Sequence, residues 1–279
     1  MTEKMNSKWH SLATTPILGQ APRHLSNLVN MERFPRPWLI YLTLVFLSGC
    51  VVVDPQDEPN EAASKINVQL GIGYLQQNNM VLASEKLKKA LRQDPESASA
   101  HNAYAILQDR LAQTEKAEEH YKIATELDPD NSQAANNYGA FLCRNNREAE
   151  SEAYFLQALK NPLYSTPEFA YSNAALCLLK IKEVERARVY LRKALAAKND
   201  FPIAVFSMAE LFYDDQNFKD AKRYIDRFHL VAKPTASSLW LSIRTERQLG
   251  NDLAVEELAG RLQKDFPDSD EYKSWLALN

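Results

Sequence analysis

The stretch "LGIGYLQQNNMVLASEKLKKALRQDP", residues 70–95, sets the pattern for most of the chain. It holds two runs with apolar residues at helical spacing, separated by the polar segment QQNN and closed by Pro95. Two small residues, Gly71 and Ala83, stand where two short helices would cross most closely, and larger residues such as Leu87 would fill the space around them. The stretch therefore predicts an antiparallel helix hairpin.

This pattern recurs with a period of about 34 residues, interrupted once by a two-residue insertion. The small residue of the second helix recurs at residues 83, 117, 151, 187, 221 and 254, and at position 151 it is Ser. One hairpin cannot bury its apolar side alone, so neighbouring hairpins must stack. The pattern resembles that of tetratricopeptide repeats, and the expected fold is an all-α, right-handed superhelical solenoid of about six repeats. The predicted repeat domain is 63–279, with repeats at about 64–97, 98–131, 132–165, 168–201, 202–234 and 235–268.

A short apolar segment precedes the repeats and ends in "LSGC", residues 47–50. The run from Trp38 to Leu47 is half the length of about 20 residues that a membrane-spanning helix needs. Arg33 and Arg36 precede it and small residues follow it, as in a bacterial signal peptide. "LSGC" also resembles a lipobox, after which Cys50 would become the first mature residue and carry covalent lipid. The alternative is an ordinary free cysteine that follows a buried helix.

These observations divide the N-terminal part into two predicted segments, an extension plus signal peptide (1–49) and a lipidated tether (50–62). Met31 opens a signal peptide of ordinary length, so residues 1–30 are either an extended leader or the result of a misassigned start codon. The residue after Cys50 is Val51 and not Asp, which favours the outer over the inner membrane.

Composition and motifs argue against catalysis and against nucleic-acid binding. The formal net charge of −3 does not provide a basic surface. The sequence contains no Walker A loop, no HExxH and no G-x-S-x-G motif. His101, His120 and His229 stand alone on predicted helices, where packing or surface roles are expected. We therefore expect a protein-binding, non-enzymatic function without a metal, a small-molecule substrate or any cofactor except the lipid on Cys50.

A partner is expected to bind the concave face, which the first helix of each repeat would line at its second, fifth, ninth, twelfth and thirteenth positions. The apolar character of repeat 1 suits an amphipathic or extended peptide, although the N-terminal tether could cover the same surface. Asn137 and Asn173, with three nearby cations, are a weaker candidate for a carboxylate site. The predicted groove residues are Val68, Ile72, Leu75 and Gln76 in repeat 1, Asn102, Ile106, Asp109 and Arg110 in repeat 2, and Asn136, Ala140 and Arg144 in repeat 3, and the three cations are Arg110, Arg144 and Lys180.

Cys143 and Cys177 fall on the first helices of repeats 3 and 4, which should be neighbours in the stack. In a reducing compartment they would be small buried thiols. A lipoprotein of this kind would instead face an oxidising periplasm, where a disulfide could form. Both possibilities, a disulfide and two free thiols, remain open from the sequence.

The lipobox followed by about six repeats resembles the PilF/PilW family of type IV pilus biogenesis lipoproteins. The most specific segments are "NNYGAFLC", residues 136–143, and "NPLYSTP", residues 161–167, and paired cysteines occur in part of that family. The resemblance implies a pilotin, an outer-membrane lipoprotein that helps the type IV pilus secretin subunit to reach the outer membrane and form its ring. Alternative functions are a lipid-anchored scaffold for cell-wall synthesis or other envelope assembly, and a cytosolic or inner-membrane chaperone adaptor.

Overall fold

The computed structural model describes residues 60–278, and every regular element within them is an α-helix. The leader, Met31, Cys50 and Val51 lie outside the described residues. None of the described helices is long and apolar enough to cross a membrane. The helices are α1 (Glu61–Gln76), α2 (Met80–Gln93), α3 (Ala98–Arg110), α4 (Thr114–Leu127), α5 (Ser132–Arg144), α6 (Glu148–Lys160), α7 (Pro167–Lys180), α8 (Val184–Ala197), α9 (Pro202–Asp214), α10 (Phe218–Val231), α11 (Ala236–Gln248), α12 (Asp252–Asp265) and α13 (Asp270–Leu276).

The first twelve helices form six consecutive hairpins, each packed on the next. The predicted all-α fold of tandem helix-turn-helix repeats is therefore confirmed. The first hairpin begins at Asn60, whose side chain accepts a hydrogen bond from the backbone N–H of Ala63 and caps α1. The backbone N–H of Asn60 also donates to the carbonyl of Gln93 at the end of α2, 2.8 Å away, which ties the start of the domain to its first hairpin.

Each hairpin turns through one residue in the left-handed conformation. These residues follow one another at intervals of 34 residues, except for 36 between Asn146 and Lys182, which locates the two-residue insertion in repeat 3. The insertion falls in the loop between α6 and α7. The six left-handed residues are Asn78, Ala112, Asn146, Lys182, Gln216 and Gly250.

Small residues permit the close crossing of the two helices in a hairpin. A Cβ atom added at Gly71 would lie 2.5 Å from the side chain of Leu87, and one at Gly139 would lie 2.8 Å from the ring of Phe155. The corresponding alanines, such as Ala105, are fully buried. The core is therefore a continuous series of small-against-large contacts that extends from one repeat to the next.

The register predicted for repeat 6 is wrong by one residue. Counting from the left-handed residue Gly250, the positions that hold Gly, Ala or Ser elsewhere hold Ile243 and Val255, which are 1% and 5% exposed. Ser242 and Ala254, the residues predicted for these positions, are displaced by one. The helix pair α11–α12 thus packs through β-branched residues where the other pairs use small ones.

A short thirteenth helix, α13, closes the C-terminal end of the stack and was not predicted. Tyr272 and Trp275 on this helix pack against the core cluster that contains Leu239 and Leu262. A capping element of this kind covers the apolar side of repeat 6.

Candidate protein-binding face

The first helices of the repeats lie side by side, and their side chains connect each helix to the next. We call the surface formed by α1, α3, α5, α7, α9 and α11 the first-helix face. Arg110 on α3 donates to the backbone carbonyl of Leu75 on α1, at 2.6 Å. Lys180 on α7 donates to the carbonyl of Cys143 on α5, at 2.8 Å. These bonds fix neighbouring repeats at the surface where a partner was predicted to bind.

Paired amides connect the same helices along one row. The side chain of Asn137 donates to Asn102 at 3.1 Å, and that of Asn173 donates to Asn136 at 3.0 Å. Asn102 and Asn136, both predicted groove residues, are 8% and 3% exposed. Buried amides must be paired to avoid a desolvation cost, so their first role is to hold the repeats together.

Charged residues form a second row on the first-helix face. Arg144 and Asp109, both predicted groove residues, form an ion pair at 2.5 Å. Lys180 pairs with Glu148 at 2.9 Å, and this hydrogen bond lowers the pKa of Glu148. Together with Arg110, each cation suggested for a carboxylate site thus already has an acceptor within the protein. The suggestion that these side chains form a carboxylate site stays a prediction.

Val68 and Leu75 do not line an open groove, and this part of the prediction is wrong. They are 6% and 3% exposed and belong to the core cluster that includes Leu87 and Leu107. The fifth and twelfth positions of repeat 1 are covered by the neighbouring helices, so their apolar side chains contribute to stability and not to a free surface.

An apolar stripe runs between the two polar rows. It consists of the ninth residue of the first four repeats, Ile72, Ile106, Ala140 and Leu176. Ile72 and Leu176 are 39% and 41% exposed, whereas Ile106 and Ala140 are half-buried. Gln76, also a predicted groove residue, is exposed beside one end of the stripe. The sequence prediction ended at repeat 3 and missed Leu176, although its ninth position carried the same signal.

Another exposed apolar surface lies at the N-terminal end of the stack. Ile66 and Leu70 on α1 are 58% and 44% exposed. They are one helical turn apart and point away from the buried side of the helix, which carries Ser64 and Gly71. No groove position was assigned to them from the sequence, because the repeat pattern assigns this side of a first helix to the preceding repeat.

Cys143 and Cys177 form a disulfide in the structure, with their Cα atoms 5.8 Å apart. The bond joins α5 to α7 beside the apolar stripe. Ser151, the residue that replaces the usual alanine in repeat 3, lies against it. The Ser151 hydroxyl donates to the carbonyl of Glu148 at 2.8 Å, and it lies 3.1 Å from the sulfur of Cys177. A hydroxyl is therefore accommodated at this buried position because it has partners.

His101 and His120 contact each other, so the prediction that they stand alone is wrong. Their Nδ1 atoms are 2.8 Å apart, and the Nε2 of His101 lies 2.9 Å from the carbonyl of Pro95. Because a carbonyl only accepts, Nε2 of His101 carries a proton, and Nδ1 of neutral His101 accepts from His120. Burial and the neighbouring His101 lower the pKa of His120, while Glu119 opposes them.

Comparison with known sequences identifies relatives that match most of the chain. Tetratricopeptide repeat family models match residues 86–119 and 105–166. The type IV pilus assembly protein PilF of Pseudomonas aeruginosa is 32% identical over 247 residues, which cover 87% of this chain and 98% of the relative. An uncharacterised protein of Haemophilus influenzae is 32% identical over 146 residues, covering 52% of this chain and 82% of that protein.

Solved structures give the same result for the fold. The structure of Pseudomonas aeruginosa PilF matches with a TM-score of 0.72 and 32% identity, covering 78% of this chain and 98% of that one. The structure of PilW, described as a widely conserved type IV pilus biogenesis factor, matches with a TM-score of 0.70 and 34% identity over 78% and 99% of the two chains.

Proposed function

We propose that this chain, which belongs to the PilF/PilW family of type IV pilus biogenesis proteins, acts as a pilotin. In this role it holds a segment of the pilus secretin subunit, accompanies it to the outer membrane and promotes assembly of the secretin ring. The observation that supports this proposal most directly is the apolar stripe on the first-helix face, because an exposed apolar row between polar rows suits an apolar protein segment. The activity is binding and not catalysis.

The anchor proposed for this function is lipid on Cys50, inserted in the inner leaflet of the outer membrane. Each buried methylene contributes about 0.8 kcal/mol, and stable anchoring needs more than one acyl chain. From Cys50 to Asn60, where the described structure begins, the chain spans ten residues and therefore reaches at most about 35 Å. Repeat 1 would thus stay close to the membrane in which the secretin assembles.

Deletion of the gene followed by blotting for secretin multimers tests the proposal. A pilotin predicts that secretin multimers and twitching motility are lost, while secretin monomers persist. Complementation with the wild-type gene should restore both, whereas Cys50→Ala should leave the protein present but fail to direct secretin to the outer membrane. Normal multimers and normal twitching in the deletion strain would contradict the pilotin role and favour the scaffold alternative.

Labelling with a palmitate analogue tests the anchor separately. We expect the wild-type protein to be labelled and the Cys50→Ala variant to remain unlabelled. A wild-type protein without label would contradict the lipid anchor.

A further inference from the structure

The N-terminal end of the stack exposes two positions that later repeats bury. The third residue of repeats 2 to 5 is a fully buried alanine, and in repeats 2, 4 and 5 it belongs to a core cluster shared with the preceding repeat. The same position in repeat 1 holds Ile66, which is 58% exposed. The seventh residue is 1–2% exposed in repeats 3 to 5, whereas its counterpart Leu70 is 44% exposed. Ile66 and Leu70 therefore form an apolar surface on the side of α1 that faces the open end.

The side chains at this end are not suited to a further repeat. An alanine lets two helices approach closely, whereas the larger, β-branched side chain of Ile66 would hold a preceding helix away. The outer face of a terminal repeat is ordinarily polar, which keeps a repeat protein soluble. An exposed isoleucine and leucine at this place instead suit a soft apolar environment that adapts to the shape of the side chains.

Two lysines of α2 lie at the same end, as the equivalent positions of later repeats show. At the twenty-third position of repeat 4, the hydroxyl of Tyr190 lies 3.4 Å from a carboxylate of repeat 3. At the twenty-sixth position of repeat 5, Arg227 donates to the side chain of Asn199 in the preceding linker, at 2.6 Å. Both positions thus face the preceding repeat. In repeat 1 they hold Lys86 and Lys89, which therefore face the open end.

The charge around these lysines is positive. We call Ile66, Leu70, Lys86 and Lys89 the end face. Glu85 accepts a hydrogen bond from Lys86 at 2.7 Å and so offsets one of the two lysine charges. Helices α1 and α2 together nevertheless carry five cations against two carboxylates, whereas the described chain after them carries 23 cations against 29 carboxylates. The end face thus belongs to a basic hairpin of an acidic domain.

We infer that the end face contacts the surface of a bilayer that contains anionic phospholipid. Ile66 and Leu70 enter the boundary between the headgroups and the acyl chains, and Lys86 and Lys89 bind lipid phosphates beside them. Apolar residues flanked by lysines bind membranes in this way, through buried apolar area and through attraction to anionic lipid. The contact places repeat 1 at the bilayer and directs the later repeats away from it.

This inference rests on the lipid anchor proposed for Cys50. The chain enters α1 at Asn60, ten residues from Cys50 and therefore within about 35 Å of the anchor. A short tether raises the local concentration of lipid at this end of the stack. A contact too weak to hold a free protein on a membrane is therefore populated in the anchored one.

A fluorescent label at residue 69 reads the contact. Gln69 is exposed on the same side of α1 as Leu70, so Gln69→Cys carries a nitrobenzoxadiazole label to the end face and leaves its four residues intact. The two cysteines of the repeats are joined in a disulfide and do not react without reductant. The lipidated protein, purified from cell membranes, is reconstituted in vesicles of phosphatidylethanolamine and phosphatidylglycerol that contain a small fraction of doxyl-labelled lipid. We expect the doxyl lipid to quench this label but not a label at Leu253→Cys, a control position that is 86% exposed on α12.

The role of the lysines is tested by charge removal on either side of the contact. Lys86→Gln together with Lys89→Gln should weaken the contact by about fivefold for each charge removed. The matched control is Lys198→Gln together with Lys219→Gln, two exposed lysines of repeats 4 and 5, and it should leave the quenching unchanged. Replacing phosphatidylglycerol by neutral phosphatidylcholine should reduce the quenching of the wild-type end face as well. Equal quenching in anionic and neutral vesicles would overturn the proposal.

The apolar part and the anchor are separated by a second variant and a second readout. Ile66→Asp together with Leu70→Asp should abolish the quenching without unfolding the protein, since both residues are exposed. Flotation with the vesicles reads the anchor. Protein that floats without quenching at residue 69 would overturn the contact and leave the anchor standing, whereas protein that does not float would contradict both.

Other occupants of the end face give a different signal. A label that is shielded from water without lipid, and that doxyl lipid does not quench, would assign the end face to a protein segment of this chain or of a second copy and would overturn the proposal. The secretin takes no part in these measurements, so failure of the pilotin role is detected separately, by the blot for multimers.

Discussion

Gly139 lies so close to the second helix of its repeat that an added methyl group has no space. A Cβ atom there would lie 2.8 Å from a ring carbon of Phe155 and 3.0 Å from the backbone carbonyl oxygen of Ser151. Since the backbone cannot move as easily as a flexible side chain, the helices would have to separate. Gly260, in the middle of α12, has no atom within 4 Å of its Cβ position.

The two glycines therefore predict opposite results for the same substitution. Gly139→Ala should lower the free energy of unfolding by about 1 kcal/mol, because overpacking costs about 1–3 kcal/mol and helix propensity returns up to about 1. Gly260→Ala should raise it by about 0.5–1 kcal/mol. Urea unfolding measures the free energy of unfolding of both variants. A Gly139→Ala variant that is more stable than the wild type would contradict the close crossing of α5 and α6.

The stability of the folded protein should depend on pH because His120 is partly buried against His101. The pKa of His120 is lowered in the folded protein from its ordinary value of 6.5, so the unfolded chain binds more protons than the folded one below about pH 6.5. Neutral His120 thus contributes stability that is present above pH 6.5 and is lost as the pH falls through its lowered pKa. His120→Asn, which keeps a donor near the position of Nδ1, should reduce this loss.

Urea unfolding at pH 7.5 and pH 5.5 compares the wild type with the variant. His229, whose pKa is also lowered, supplies a background in both proteins. An equal loss of stability in both proteins would show that His120 does not titrate as described.

For individual residues, the sequence predicted the residue types better than the contacts that these residues make. Gly71 and Ala83 were placed correctly, because a repeat fixes both their position and the size of their neighbours. The contact between His101 and His120 could not be predicted, since it depends on side-chain orientation across two helices. The burial of Val68 was missed for the same reason: the pattern identifies a face of a helix but not how deeply the next helix covers it.

Among the helices, the pair α5 and α7 carries the covalent link between repeats. The disulfide closes a segment with a sequence separation of 34 residues. On the loop-entropy description, this closure stabilises the fold by about 4 kcal/mol. Replacing both Cys143 and Cys177 by Ser should lower the free energy of unfolding by a similar amount.

A thiol assay tests the link directly. With Cys50 replaced by Ala, the protein unfolded without reductant should show no free thiol, and reduction should release two. Two free thiols before reduction would contradict the disulfide. Equal unfolding free energies for the double variant and the oxidised protein would contradict its stabilising role.

The structure also shows why the elements at the end of the stack were harder to predict than those in the middle. Repeats 1 to 5 share the small residues that fix their register, whereas repeat 6 has Ile243 and Val255 instead. A search for small residues therefore selects their neighbours, one residue away. The capping helix α13 has only seven residues and matches no part of the 34-residue pattern, so periodicity cannot indicate it.

Taken as a whole, the molecule combines a rigid stack with an exposed apolar stripe. Hydrogen bonds, ion pairs and a disulfide link α1, α3, α5 and α7, so the four residues of the stripe are presented by elements that are fixed to one another. A surface preorganised in this way loses less conformational entropy when a partner binds. The sequence predicted three of the four stripe residues.

The most direct test of this account replaces the two most exposed stripe residues, Ile72 and Leu176, by Glu in the chromosomal gene. The matched control replaces Val81 and Val189, which are 79% and 48% exposed on the second helices of the same repeats. With both proteins folded and equally abundant, blotting should show secretin multimers reduced by roughly tenfold in the stripe variant and unchanged in the control. Wild-type multimer levels in the folded stripe variant would contradict the claim that this face holds the secretin.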